Sequence, residues 1–485
     1  MMRRRLPKLI LGCVCSLGGP AAAGAQTLGP PAPPGPAAAA SASGAPPAAR
    51  TGAAAISLPD ALAYAAAHQP SLQAAQARIE VARRGASVVR AEWLPQLGGT
   101  AQLFGGTMNN TTAMFLGVRT MDLPRIGASR TSSDAAWSDA YPSTLVGIGL
   151  RQTVFDFGRI AAQAAVADHE VRFASHRADL ERLELGLQIE SAYYAVLAAK
   201  AVERAATDAY TRAALRLDMV KAGVERGLRP PIDLTRAEAD RTRFDVGRTR
   251  ARGNIELAQA QLAAAIGWGE PLLDAMDVTL DADTPLPPLG EALRSAVEQD
   301  PAVRAGLARL LQQQAITRAT AMQLVPSLQL TASLSGRAGG TPTSSGPSGS
   351  SGWVPEVANW DVGVVLSVPM FDGVLLARRA QSQAQEAVLQ HEVDALRRGV
   401  LAGVQRAYTS FQVARDALRA LIMAAGAARR NYDQASARFR AGLATSVELA
   451  DAEALRTEAE IQLAVGRFEI ARSRALFNRA LAAGL

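Results

Sequence analysis

Trp360-Asp361-Val362-Gly363-Val364-Val365-Leu366-Ser367-Val368-Pro369-Met370-Phe371-Asp372-Gly373 is the stretch on which the fold turns. Trp360, Val362, Val364, Leu366 and Val368 fall on one face of a strand, and Asp361, Gly363, Val365 and Ser367 on the other. Trp360–Met370 is about the length a tilted strand needs to cross a bilayer. Beyond the turn, Val404, Phe411, Leu418 and Leu421 recur at coiled-coil spacing, and a helix is expected over Leu375–Arg440. At about 1.5 Å per residue it would be on the order of 100 Å long, which nothing globular needs.

The same order occurs earlier in the chain. Phe155-Asp156 matches Phe371-Asp372 at a spacing of 216 residues, and a second long helix is expected over Arg159–Arg226. Ala192-Tyr193 matches Ala407-Tyr408, Gly227-Leu228 matches Gly442-Leu443, and Ala237-Glu238-Ala239 matches Ala452-Glu453-Ala454, each at 215. Ala61-Leu62, Pro70 and Pro95 match Ala292-Leu293, Pro301 and Pro326 at 231. Offsets that hold over long stretches mark an internal duplication. Two repeats are read, 56–270 and 289–485, with a linker over 271–288 that holds Pro285, Pro287 and Pro288.

Each repeat reads as a short helix (Leu58–His68; Leu289–Gln299), a second helix (Ser71–Trp93; Ala302–Leu324), two strands, the long helix, a tip and a return helix (Ile232–Ile266; Val447–Ala483). The other strands are Pro95–Gly105, Thr144–Val154 and Ser327–Arg337. A period of two with one apolar face suits a barrel wall with lipid outside and a wet interior, and equally a strand pair in a soluble sheet. The joining loops, 106–143 and 338–359, are long and polar, which fits the extracellular end of a barrel. Four strands cannot close a barrel, since about eight make the smallest filled one. An open sheet leaves unpaired edges, so several copies must pool their strands.

Composition agrees with export of a mostly helical protein. Hydrophobic residues make up 48%, charged 20% and aromatic only 5%, a balance that favours thin helix seams built on alanine. The formal charge of +7 falls to +3 without residues 1–25, and the remaining basic groups are interspersed with acids, which argues against nucleic acid as a partner. Residues 1–25 read as a secretory signal: Arg3, Arg4 and Arg5 precede an apolar Leu9–Leu17, and Ala23-Gly24-Ala25 is a cleavage site. The rival is a lipoprotein signal ending at Cys13, for which the preceding apolar run is short. Residues 26–55 read as a disordered Pro/Ala-rich leader. Both cysteines, Cys13 and Cys15, lie in the signal, so no disulfide, thiolate metal site or Cys nucleophile is expected. Nor is there a phosphate loop, a nucleophile elbow or a His-Glu-x-x-His. His169 and His176 share a helix face without the carboxylates or spacing of a metal site. No enzyme activity, cofactor or metal is expected.

With the duplication, the turns at Phe155-Asp156 and Phe371-Asp372, and the tips Gly227-Leu228 and Gly442-Leu443, the chain resembles the TolC-like outer membrane efflux proteins, or outer membrane factors, over nearly all of 56–485. The resemblance implies a mainly α fold with a β-barrel portion: a homotrimer with a twelve-stranded barrel in outer-membrane lipid and an α-helical periplasmic tunnel. It implies the exit duct of a tripartite efflux system, fed by an inner-membrane pump through a periplasmic adaptor. A type I protein secretion system is the alternative. A periplasmic coiled-coil adaptor or scaffold is the alternative of another class, but it would not need period-two strands in both halves.

Carried onto this sequence, the family's tunnel mouth falls on Phe439, Glu448 and Asp451, with Asp233 in the first tip, and adaptor docking falls on the two Gly-Leu tips. Some relatives hold the mouth shut through a Tyr and an Arg where this chain has Phe439 and Ala444, which leaves Arg229 or Arg440 for that work. Plainer roles stand beside these. Gly227 and Gly442 end helices. Glu448 completes a capping box with Thr445, and Asp233 complements a helix dipole. Asp156 and Asp372 are N-caps before substrate contacts. Asp451 has no such role.

Overall fold

The computed structural model describes residues 54–107, 140–278, 285–339 and 359–482. The signal, the leader up to residue 53 and most of both hairpin loops lie outside the described residues. The first repeat contains α1 (Leu58–His68), α2 (Pro70–Arg90), β2 (Gln96–Thr107), β3 (Ala140–Phe155), α3 (Arg159–Glu225) and α4 (Pro231–Ile266). The second contains α5 (Leu289–Gln299), α6 (Pro301–Ala321), β5 (Ser327–Gly339), β6 (Asn359–Ser367), α7 (Gly373–Arg440) and α8 (Ser446–Ala480). A parallel pair was not foreseen: β1 (Ala54–Ile56) lies beside β4 (Leu273–Ala275). β1 begins two residues inside the stretch read as leader, and β4 lies in the stretch read as linker. Runs of three residues carry too little pattern to be read from sequence.

Local chemistry sets the boundaries. Ser57 caps α1 by accepting from the Asp60 amide, and Asp300 caps α6 by accepting from the Ala302 amide. Prolines occupy the first turns of α1, α2, α4 and α6, where a missing N–H costs no helical bond. α2 and α6 tighten into 3-10 turns at Ala91–Trp93 and Met322–Leu324, so both helices stop three residues before the expected ends. β6 stops at Ser367 and not at Met370, because Pro369 cannot donate to a ladder.

The four long strands form one antiparallel sheet in the order β2-β3-β5-β6. Its register sorts polarity by row. Leu97, Leu150, Ala332 and Val362 stand side by side on one face, followed by Gly99, Ile148, Leu334 and Trp360. The opposite face carries Gln96, Arg151, Thr331 and Gly363, then Gly98, Gly149, Ser333 and Asp361. On the polar face Arg151 donates to Gln329 (2.9 Å), and the Ser333 hydroxyl bonds the Asp361 carboxylate. Among the described residues no helix covers the apolar face, and Trp360 is 75% exposed.

The helices form a layer. α3 packs on α2, α4, α6 and α8, whereas α7 packs on α5, α6 and α8. α2 and α4 share α3, and α6 and α8 share α7, so two shorter helices together cover each long one. The main core gathers Ile189, Tyr193, Leu262, Ile266 and Leu273 with alanines of α1 and α4. The Tyr193 hydroxyl donates to the Met276 carbonyl (2.7 Å), tying α3 to the end of β4. Among the described residues, no helix is long and apolar enough to cross a membrane.

Candidate functional site

The two hairpin tips are built alike. Gly227 and Gly442 have φ of 68° and 75°, the left-handed conformation that glycine enters without a Cβ clash. The Leu228 amide donates back to the Gly223 carbonyl (2.9 Å) and the Leu443 amide to the Arg438 carbonyl (2.8 Å), each closing a six-residue helix-ending turn. Such a turn often tucks its last apolar residue against the helix. Here Leu228 and Leu443 stay 76% and 71% exposed.

Arg229 joins the tips. Its guanidinium lies 3.7 Å from the centre of the Phe439 ring and donates to the Phe439 carbonyl (3.2 Å). It also lies 3.9 Å from the Asp233 carboxylate. A Cβ on Gly223 would stand 3.0 Å from the Arg229 stem, so the glycine makes room for it. Asp233 in turn accepts from the Ser446 hydroxyl (2.7 Å), a bond from the first tip to the second. Beneath these contacts Phe439, Val220, Ala237 and Leu449 form one buried cluster, with Ala444 packed against it. Among the described residues Arg440 bonds only Ser436, on its own helix (3.1 Å).

The other candidates separate by their partners. Thr445 accepts from the Glu448 amide (3.2 Å) and bonds its carboxylate (3.4 Å), which is the capping box. Arg438 lies 3.9 Å from Glu448. Asp451 is exposed, one turn further along α8, and has no hydrogen bond or ion pair among the described residues. At the strand-to-helix turns, Asp372 is the N-cap of α7 and accepts from the Val374 and Leu375 amides (2.9 and 3.1 Å). The first turn is two residues longer before its helix starts. Gly158 is the N-cap of α3, and Asp156, two residues earlier and 2% exposed, accepts from the Gly158 and Ile160 amides (3.0 and 2.6 Å). Phe155 meets Phe157 edge-on, while Phe371 stays exposed.

Sequence reasoning missed a buried charge network above the tips. Arg212 of α3 bonds Glu453 of α8 (2.7 Å) and lies 3.5 Å from Glu460. Glu460 also receives Arg429 (2.9 Å) and Arg456 (3.2 Å), and Arg456 covers the Tyr432 ring. Burial alone would raise the Glu460 pKa, but three guanidiniums outweigh it and hold the carboxyl below the usual range. Burial raises the Tyr432 phenol. No local motif marks partners 241 residues apart. Among the described residues, no three His, Cys, Asp or Glu side chains gather to hold a metal.

A duplicated wall of long helices, tied at one set of tips and crowned by a sheet with one apolar face, is the architecture of a membrane channel subunit. The chain belongs to the outer membrane efflux protein family, whose model matches residues 61–268 and 292–482. It is 31% identical to Protein CyaE of Bordetella pertussis over 377 residues, covering 74% of this chain and 70% of that one. The CmeC outer membrane channel of Campylobacter jejuni has the same fold, with a TM-score of 0.71 at 15% identity over 88% of this chain and 86% of that one. So does the open-state MtrE outer membrane channel of Neisseria gonorrhoeae, with a TM-score of 0.67 at 20% identity over 88% and 89%. The protein is thus an outer-membrane efflux channel of a Gram-negative bacterium, not an enzyme, with its helical tunnel mostly in the periplasm.

Proposed function

We propose that the chain is the exit duct of a tripartite efflux system, conducting cargo passively from an inner-membrane pump and a periplasmic adaptor to the outside. The sheet carries this reading: its apolar face is bare, its polar face is hydrogen-bonded, and both edges are open. Three copies pooling four strands each make a twelve-stranded barrel, within the range of such pores. The exposed Leu228 and Leu443 seat the adaptor. Bulky substitution at Gly227 and Gly442 should abolish export and leave the trimer intact.

The periplasmic mouth divides its work among the candidate residues. Arg229, Phe439, Asp233 and Ser446 join the two hairpins of one copy, and Glu448 fixes the start of α8. Asp451, without a partner among the described residues, lines the opening. Threefold repetition sets like carboxylates around one axis, which attracts cations. The test is single-channel conductance in planar bilayers. Asp451→Asn should weaken cation selectivity and block by a trivalent cation, with Glu448→Gln weaker in effect. Wild-type selectivity and block in the Asp451→Asn channel would remove Asp451 from the lining. Co-purification of the native inner-membrane partner distinguishes an efflux pump from a type I secretion exporter.

A further inference from the structure

α4 carries a pattern that neither its packing nor the mouth explains. Thr235-Arg236, Thr242-Arg243 and Thr249-Arg250 repeat the same dipeptide at intervals of seven residues. Seven helical residues advance about 10.5 Å and return to nearly the same face. That face points away from α3. The buried residues of α4 are Ala237, Ala251, Ala258, Leu262, Ala263, Ala265 and Ile266, whereas Arg236, Arg243 and Arg250 are all exposed.

The other arginines of α4 are occupied. Arg241 donates to the Tyr210 hydroxyl (2.9 Å), Arg248 bonds Asp245 (2.7 Å) and covers the Tyr210 ring, and Arg252 pairs with Glu203 (3.3 Å). Arg236, Arg243 and Arg250 have no hydrogen bond or ion pair among the described residues; Arg243 meets only the ring of its neighbour Phe244.

The duplication says which way this face looks. At the 215-residue offset, Arg236 falls on Asp451, Arg243 on Glu458 and Arg250 on Val465. All three α8 residues are exposed and lie off the stripe of buried Ala452, Ala459, Leu463 and Ile470. The two return helices therefore present equivalent faces, basic at three positions on α4 and acidic at two of the three on α8. If Asp451 looks into the tunnel, the α4 arginines do too.

We infer that Arg236, Arg243 and Arg250 form a ladder on the tunnel wall that binds and passes anionic groups of cargo, alternating around the axis with the acidic face of α8. This rests on the proposal that Asp451 lines the mouth. Each rung pairs a fixed positive charge, which arginine keeps at any working pH, with a neighbouring threonine. The rungs are spaced a little beyond the Debye length of about 8 Å at physiological salt, so each acts as a separate site and anions pass between them. A pore that needs occupancy without trapping is served by several weak sites in series.

The test is conductance of the assembled channel with tripolyphosphate as probe. Tripolyphosphate should slow the native current. The Arg236→Gln, Arg243→Gln, Arg250→Gln variant should lose that block by roughly tenfold and move selectivity toward cations. The matching lysine variant should retain the block, which separates lost charge from a damaged wall. Native block and selectivity in the glutamine variant overturn the ladder. If Asp451→Asn still alters cation block in that case, the mouth stands and only the ladder falls. If the glutamine variant conducts normally but no longer exports, the face docks an acidic partner from outside, and the ladder is likewise overturned.

Discussion

α3 and α7 are the same element of the duplicated unit, with 67 and 68 residues, yet they live in different surroundings. α3 has helices on both sides and buries Tyr193 completely. α7 lies at the edge of the layer, and its early residues Val374, Leu376 and Val388 are exposed. Among the described residues α3 has helices on both flanks, whereas α7 leaves one flank open, the flank that a second copy would fill in the proposed trimer.

Paired substitutions at equivalent positions can break or sharpen that contrast, each followed by thermal unfolding of the detergent-solubilised protein. The largest difference is expected at Tyr193 and Tyr408. Tyr193→Ala empties a closed core and loses the bond to Met276, at a cost of about 4 kcal/mol. Tyr408 is only partly buried against Phe477, so Tyr408→Ala should cost about half as much. Equal losses would mean that α7 is as enclosed as α3.

Arg212 comes next. Its equivalent on α7 is the exposed Ala427, so this cation has no counterpart at the matching position of the second repeat. Arg212→Ala strands Glu453 and should cost about 3 kcal/mol. The stabilisation tied to Glu460 is present above the ordinary carboxylate pKa and is lost as pH falls through its lowered value. Acid should therefore narrow the gap between Arg212→Ala and the parent protein. A gap that widens in acid would contradict this assignment.

The capping aspartates should differ less. Asp156→Ala leaves two amides without a partner in a buried turn, for about 2 kcal/mol; Asp372→Ala, in an open one, for about 1 kcal/mol. Glu190 should show the smallest effect. Burial raises its pKa, so ionising it opposes folding, and stability falls as pH rises from the ordinary carboxylate pKa through the raised one. The equivalent residue on α7 is already a glutamine, Gln405. Glu190→Gln should raise the melting temperature at neutral pH and leave it unchanged in strong acid.

Long, strongly patterned elements were legible in the sequence. The short helices Leu58–His68 and Leu289–Gln299 match their expected limits, and the strands lie where the alternation places them. Coiled-coil spacing placed α7 and the duplication placed α3, in which Glu190 is a partly buried carboxylate. What depends on tertiary meeting was not legible. The β1–β4 pair joins segments more than 200 residues apart, and the Arg212 network draws on three helices. At the tips, sequence singled out Arg229 and Arg440 without saying what either touches. Only the fold brings Arg229 onto Phe439, through the room Gly223 leaves.

The two open sheet edges make time and concentration part of this protein's chemistry. Among the described residues β2 and β6 each pair on one side only, so a newly exported chain carries unspent hydrogen-bonding groups and an exposed Trp360. Such a chain is a reactant, and its lifetime depends on how often it meets its own kind. Stability per chain is then not a fixed number but a function of how many are present. Slow supply prolongs exposure, while abundant supply multiplies wrong edge-to-edge encounters, so the yield of working channels should peak at an intermediate rate of export.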